Sequence, residues 1–198
     1  MSILGALGII SGLSLNLITH FGLGIQYLDF CDENHKRFYG IPVIRGGILF
    51  LSVPLLWFFF SYILIPLSLG FFEYMVLFPL SVLVCMGLEA AVNHFFPNML
   101  LESKVFTPWS AYNGLIPAAL VLSFYLVSSL VEVIVLSLGF YVGLLLAILI
   151  LKEIQKRSSL EAVPKWLRGV PLMLISMGLL SLIFSFVGTI LIKFLGFY

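Results

Sequence analysis

The sequence predicts an all-α integral membrane protein with six transmembrane helices, arranged as two inverted three-helix repeats in which helices 1 and 4 are broken. Three observations lead to this prediction. The chain of 198 residues is 62% hydrophobic and 10% charged, whereas soluble domains carry about 25% charged residues. Its apolar residues form continuous runs rather than the short alternating stretches of a β-barrel. Two of these runs, three segments apart, are interrupted by polar residues, glycine or proline.

Six apolar segments are separated by charged or turn-rich stretches. Each is close to the ~20 residues that a membrane helix needs. They are Ile3–Leu28, Ile44–Leu67, Phe71–Phe95, Val105–Tyr125, Leu130–Leu151 and Val170–Leu195. Three crossings reverse the direction of the chain, so residues 1–97 and 98–198 would form inverted repeats within a single membrane domain.

Segments 1 and 4 contain residues that interrupt a membrane helix. Proline lacks an N–H and clashes with the preceding turn, which favours a two-piece segment 4. Irregular backbone is tolerated in a membrane only where protein or water satisfies it. Paired breaks therefore predict a site near the membrane midplane. The interrupting residues are Asn16, Thr19, His20, Gly22, Gly24 and Gln26 in segment 1, and Pro108, Ser110, Asn113, Gly114 and Pro117 in segment 4.

Four residues of the breaks and one carboxylate are the candidates for an ion path: Asn16, Gly24, Asn113, Gly114 and Glu89. The two asparagine amides could line a midplane site, or they could hydrogen-bond a neighbouring helix. Glu89 lies inside segment 3, where an ionisable group is expensive. It could face an ion path or a partner subunit, or it could reach the interface and pair with Lys or Arg.

Other polar groups have simpler explanations. His20 could titrate near neutral pH, but a single histidine is more often a packed or interfacial residue. Glu132 near the start of segment 5 would favour the positive helix N-terminus. The net charge of +1 argues against nucleic acid as a partner. The sequence contains no Gly-rich phosphate loop, and its two cysteines lack metal-site spacing.

The distribution of Lys and Arg predicts the orientation. All but one of these ten residues lie in or beside the 1–2, 3–4 and 5–6 loops. Lys193, near the C-terminus, is the exception on the opposite side. Positive residues concentrate on the cytoplasmic side, so these three loops should be cytoplasmic and both termini outside.

Several stretches of the chain resemble the RnfA/NqrE family, the integral membrane subunits of Rnf and Na⁺-translocating NADH:quinone reductase complexes. The resemblance covers nearly the whole length. It is clearest in Ile63-Leu64-Ile65-Pro66-Leu67, in Glu89, in Val163-Pro164-Lys165-Trp166-Leu167-Arg168-Gly169, and in the run from Leu174 to Phe184.

This resemblance implies a role within a complex of the bacterial inner membrane that couples electron transfer to Na⁺ or H⁺ translocation. It implies a partner of the same fold in opposite orientation, together with subunits that carry flavin and Fe–S centres. In the family, each of the paired subunits contributes cysteines from its broken helices to a shared [2Fe–2S] cluster.

The chain departs from the family at both cysteine positions, which are occupied by Gln26 and Gly114. Neither residue can replace a thiolate ligand of iron, so we expect no cofactor in this chain. Cys31 and Cys85 lie elsewhere in the sequence. Two other functions stay open: a stand-alone secondary transporter or channel that uses the same fold, and a purely structural role in assembly of the complex.

Overall fold

The computed structural model describes residues 2–23, 40–66, 73–95, 114–160, 164, 167 and 169–196, and every regular element in these ranges is helical. We number the helices in chain order. They are α1 (Ser2–Ile9), α2 (Gly40–Phe59), α3 (Glu73–Phe95), α4 (Leu115–Leu126), α5 (Leu130–Leu160) and α6 (Val170–Phe194). A π-helical turn continues α1 over Ile10–Ser14, and another continues α2 over Phe60–Leu64.

Within the described residues, four helices are long and apolar enough to cross a membrane, and they correspond to segments 2, 3, 5 and 6. The apolar helices of segments 1 and 4 are shorter, Leu4–Ser14 and Leu115–Leu126. At 1.5 Å per residue, twelve residues extend about 18 Å, which is little more than half of a ~30 Å hydrocarbon core. The predicted class of all-α membrane protein is confirmed, and the chain is a multi-pass membrane protein.

Both interruptions lie inside the predicted segments, with details that differ from the prediction. Segment 1 stops being helical after Ser14 and continues as turns to Leu23. In segment 4, α4 begins after Gly114, and Pro117 lies in its first turn. Proline is compatible with a first helical turn because the missing N–H has no intrahelical partner there. The prediction that Pro117 interrupts the segment was therefore wrong. Pro108 lies outside the described residues.

Each short helix packs against helices of the other half of the chain. The central pair is α2 and α5, which make the most extensive contact. Helix α1 and its π-helical turn pack on α5 and α6, whereas α4 packs mainly on α2 and makes smaller contacts of equal extent with α3 and α5. This reciprocal exchange is the packing expected of two related three-helix units. The division into repeats near residue 97 itself stays a prediction.

Helix α5 is longer than its predicted apolar segment. Segment 5 was predicted to end at Leu151, but the helix continues to Leu160. The extension carries charged side chains, and Arg157 pairs with Glu153 one turn earlier at 3.1 Å. Pairs with this spacing stabilise a helix in water. The end of the apolar sequence marks where the membrane span ends, but the helix itself can continue beyond that point.

Small residues allow α1 and α5 to cross with their backbones in contact. A Cβ atom built on Gly139 would lie 2.6 Å from the Gly8 carbonyl oxygen, and one built on Gly143 would lie 2.8 Å from Gly12 Cα. Both sides of the crossing carry glycines four residues apart: Gly8 of α1 and Gly12 of its π-helical turn, and Gly139 and Gly143 of α5. This spacing is the small-xxx-small pattern that lets membrane helices approach closely.

We predict that Gly143→Leu destabilises the protein, because the new side chain meets the Gly12 backbone, which cannot move aside cheaply. Overpacking of this kind costs about 1–3 kcal/mol or more. The measurement is the unfolding transition of the purified protein in mixed SDS and mild detergent. Gly178→Leu on α6 is the matched control, because a Cβ there meets nothing within 4 Å. Equal effects of the two substitutions would contradict the assignment.

Candidate functional site

Asn16 holds the interruption of segment 1 through four hydrogen bonds. Its side-chain nitrogen donates to the carbonyl oxygens of Gly12 at 3.1 Å and Gly143 at 2.7 Å. Its side-chain oxygen accepts the backbone N–H groups of Ile18 at 3.1 Å and Thr19 at 3.2 Å. The residue is only 1% exposed. Both amide hydrogens and two acceptor positions are thus engaged in stabilising the turn and tying it to α5.

The bond from Asn16 to α5 depends on the glycine crossing. Gly143 lies near the middle of the membrane span Leu130–Arg157, so the interruption lies near mid-depth. The amide reaches a carbonyl of α5 because Gly12 and Gly143 bring the two backbones together. These glycines were not among the residues predicted to matter. The spacing of Gly8/Gly12 and Gly139/Gly143 was the signal that could have identified them.

The interruption of segment 4 lies beside that of segment 1. Gly114 adopts a left-handed conformation with φ of 69°, and no side chain caps the helix that follows. Leu115 and Ile116 at its first turn are buried. A Cβ atom built on Gly114 would lie 3.3 Å from the side chain of Leu23. The two breaks are therefore neighbours, as paired interruptions at one depth require.

An apolar groove opens next to the two breaks. It has a volume of about 350 Å³, and Phe21 of segment 1, Leu77 and Phe78 of α3, and Pro117 of α4 are among its lining residues. The groove joins the first break to the short helix α4 and to α3. The described residues of its lining are all uncharged and apolar, so it can accommodate apolar chains.

A second polar cluster lies on the other side of the first break. The His20 ring faces two hydroxyls of α6: Ser181 Oγ is 3.2 Å from Nδ1, and Ser185 Oγ is 3.4 Å from Nε2. The imidazole is exposed. Thr19 beside it is 6% exposed, and its hydroxyl is a buried polar atom with no hydrogen-bond partner among the described residues.

Of the five predicted ion-path residues, Asn16 and Gly114 lie in the two breaks, which meet where Leu23 lies against Gly114. Asn113 and Gly24 lie outside the described residues, as does Gln26. Glu89 lies in the last two turns of α3, and its side chain is outside the described part of the structure. That these residues line an ion path stays a prediction.

Glu132 caps the start of α5. Its carboxylate accepts the backbone N–H groups of Ser128 at 3.0 Å and Ser129 at 3.2 Å, and the hydroxyl of Ser129 lies 3.4 Å from the Glu132 nitrogen. This reciprocal arrangement is a capping box. The carboxylate therefore has the structural role at a helix N-terminus that the sequence predicted.

The donor set needed for an iron–sulfur cluster is not met at Gly114. Glycine has no side chain to ligate iron, and φ of 69° is a conformation that other residues rarely adopt. Within the described ranges, no three His, Cys, Asp or Glu residues are grouped so that they could hold a metal ion. Gly114, where the resemblance implies a cluster ligand, supplies no group that could bind iron.

We predict that Asn16→Leu destabilises the fold, because it leaves the N–H groups of Ile18 and Thr19 without partners and removes the bond to the Gly143 carbonyl. Each buried unsatisfied group costs about 1–3 kcal/mol. The loss should appear in the SDS unfolding transition. Ser123→Ala is the matched control, since that buried hydroxyl donates only to its own helix, to the Ala119 carbonyl at 2.7 Å. An Asn16→Leu protein as stable as the control would refute this role.

Comparison with known proteins found relatives that match most of the chain. No family model matches the sequence. The chain is 27% identical over 177 residues to a protein of the ion-translocating oxidoreductase complex of Buchnera aphidicola subsp. Schizaphis graminum. It is 25% identical over 180 residues to a component of the Na⁺-translocating NADH-quinone reductase of Proteus mirabilis. Each alignment covers 87% of this chain and 91% of the relative.

Proposed function

The chain is a homologue of RnfA/NqrE-type membrane subunits, and we propose that it is a membrane subunit of an ion-translocating electron-transport complex of the Rnf/Nqr type. In this role it lines part of the ion path and scaffolds the complex, which couples electron transfer to the movement of Na⁺ or H⁺. The proposal rests on one structural observation together with the homology: the breaks of the two short membrane helices meet, with Leu23 of the first break lying against Gly114 of the second.

The neighbouring breaks suit ion passage for a physical reason. Continuous membrane helices satisfy their backbone internally, so they present no polar groups to an ion. Interrupted helices free carbonyls and helix ends, which can replace part of the hydration shell of a cation. The turns from Leu15 to Leu23, which follow the C-terminal end of the first short helix, supply such backbone. Glu89, Asn113 and Gly24 belong to the same proposal as further candidates for the path.

The proposed partners follow from the same homology. They are a membrane protein of the same fold in opposite orientation, and subunits that carry flavin and Fe–S centres. The outer faces of α3 and α6 carry large exposed apolar side chains, among them Met75, Leu83, Leu182 and Phe186. Lipid or a membrane partner can cover such faces. We place the complex in the bacterial inner membrane, with both termini of the chain outside.

The proposal excludes one part of the family chemistry from this chain. With Gln26 and Gly114 at the two ligand positions, electrons would not pass through a cluster that this chain ligates. Its contribution would be the ion path and the scaffold. The left-handed glycine at position 114 supports this view, because restoring a cysteine there would introduce backbone strain as well as a thiol.

The missing ligand at Gly114 also favours a second candidate function. A stand-alone secondary transporter or channel could use paired half-helices without any redox centre. The two candidate functions differ in whether the folded chain needs other subunits in order to move ions. The transporter would work when reconstituted alone, whereas the complex subunit would require its redox partners.

We predict that the tagged chain, purified from native membranes in mild detergent, recovers a membrane protein of the same fold, together with subunits that carry flavin and Fe–S centres. Mass spectrometry of the eluate and its visible absorption spectrum are the measurements. An equally apolar, unrelated tagged membrane protein is the control for nonspecific recovery. Recovery of the folded chain alone, with ion transport after reconstitution, would replace the complex by the transporter.

A further inference from the structure

The hydroxyls that face His20 differ from the other helical hydroxyls of this protein. Most of the other helical hydroxyls donate to a carbonyl of their own helix three or four residues earlier, as polar side chains in apolar helices commonly do. They are Ser52, Ser81, Ser123, Ser137, Ser176 and Thr189. Ser181 and Ser185 instead lie within hydrogen-bond distance of the imidazole.

The cluster lies near the middle of the bilayer. Ser181 and Ser185 flank the centre of α6, which spans Val170 to Phe194, and His20 follows a break held at the middle of α5. An imidazole exposed to hydrocarbon at this depth would be expensive, since ionisable residues in membrane spans face protein or water-filled cavities. The exposed ring therefore indicates water or a polar partner on this side of the break.

Thr19 gives independent support for a polar ligand. Its hydroxyl is buried and has no partner among the described residues, and a hydroxyl in such a position needs an ordered water or another polar group. Thr19 and His20 are consecutive in the same turn, and the Asn16 amide and carbonyl fix both backbones. One turn thus carries an imidazole and a buried hydroxyl that no described residue satisfies.

We propose that His20, with Ser181 and Ser185, is a hydrated proton-binding site beside the broken helix, so that the ion moved along this face of the protein is H⁺. This inference rests on the proposed function and specifies its ion. The neutral ring takes up one proton on its unprotonated nitrogen and releases the same proton. The serine hydroxyls can donate to the neutral ring, and they can accept from both N–H groups of the imidazolium.

The chemistry of the cluster favours H⁺ over Na⁺. Hard cations such as Na⁺ are bound by several oxygen ligands. In this cluster one of the groups that a cation would contact is a ring nitrogen of His20 instead of an oxygen. The groups that the structure places against the ring are the two serine hydroxyls, which are uncharged. Lys193 of α6 lies eight residues beyond Ser185, about 12 Å along the axis. The other described charged residues of the helices packed on this break are those of α5: Glu132, Lys152, Glu153, Lys156 and Arg157.

The first test measures proton binding directly, without electron transfer. The full chain, labelled with ¹⁵N-histidine, is incorporated into lipid nanodiscs, and the imidazole resonances are followed from pH 5 to pH 8. His20→Gln identifies the signal, since the chain has three histidines. The expected result is a reversible shift of the His20 resonance within this range. A ring that stays neutral down to pH 5 would face lipid, and the inference would be overturned.

The second test measures transport by the assembled complex in inverted membrane vesicles. A pH-sensitive dye and ²²Na⁺ report the redox-driven uptake of the two ions. The wild type should accumulate H⁺, and His20→Gln should lose most of that uptake at unchanged complex content. His94→Gln, the same substitution at the far end of α3, should retain it.

The outcomes of the two tests separate the inference from the proposed function. Uptake of Na⁺ alone by the wild type, or full H⁺ uptake by His20→Gln, would overturn the proton site and leave the proposed function intact. A wild type that moves neither ion would overturn the proposed function, and the nanodisc titration would still decide whether His20 binds protons.

Discussion

The hydrogen bond from the Asn16 amide to the Gly143 carbonyl, 2.7 Å long and buried, is the interaction on which the centre of this fold depends. A chain that leaves helical geometry inside the bilayer must satisfy its backbone by other means. Asn16 replaces part of the lost helix by accepting two N–H groups of its own turn, and its amide anchors that turn to α5. The glycines of α1 and α5 make the anchor possible, because any larger side chain would hold the backbones apart.

The exchange of short helices between the two halves explains why the breaks are stable as a pair. The break of segment 1 is held by α5 and lies beside α6, and α4 packs mainly on α2, with smaller contacts to α3 and α5. Each short helix thus makes its largest contact with a long helix of the other half. The central contact of α2 with α5 and the neighbouring breaks are thus parts of one arrangement. A shift between the halves would alter both breaks together, which is the property required of a site that handles an ion in the proposed complex.

The sequence was sufficient to predict the helical membrane class and that segments 1 and 4 are not continuous helices, because hydrophobic runs and helix-breaking residues are local properties. It left open whether Asn16 holds the turn or borders a path. That answer depends on whether a carbonyl of another helix lies within 3 Å, a distance set by the glycine crossing 127 residues away in the chain. Pro117 was misinterpreted for a related reason: whether proline ends a helix or begins one depends on where the first turn starts.

Asn16 and His20, two polar residues of the same turn, differ in burial and in hydrogen bonding, and this contrast bears on the mechanism. Asn16 is buried and its amide is fully engaged, so it cannot exchange partners without loss of the turn. His20, four residues later, is exposed and faces hydroxyls that can serve as donors or acceptors. A group that binds and releases an ion must change its hydrogen bonds at little cost, whereas a group that holds the backbone must not change them. The turn therefore separates the two tasks: its inner side is rigid, and its outer side retains the capacity for reversible binding.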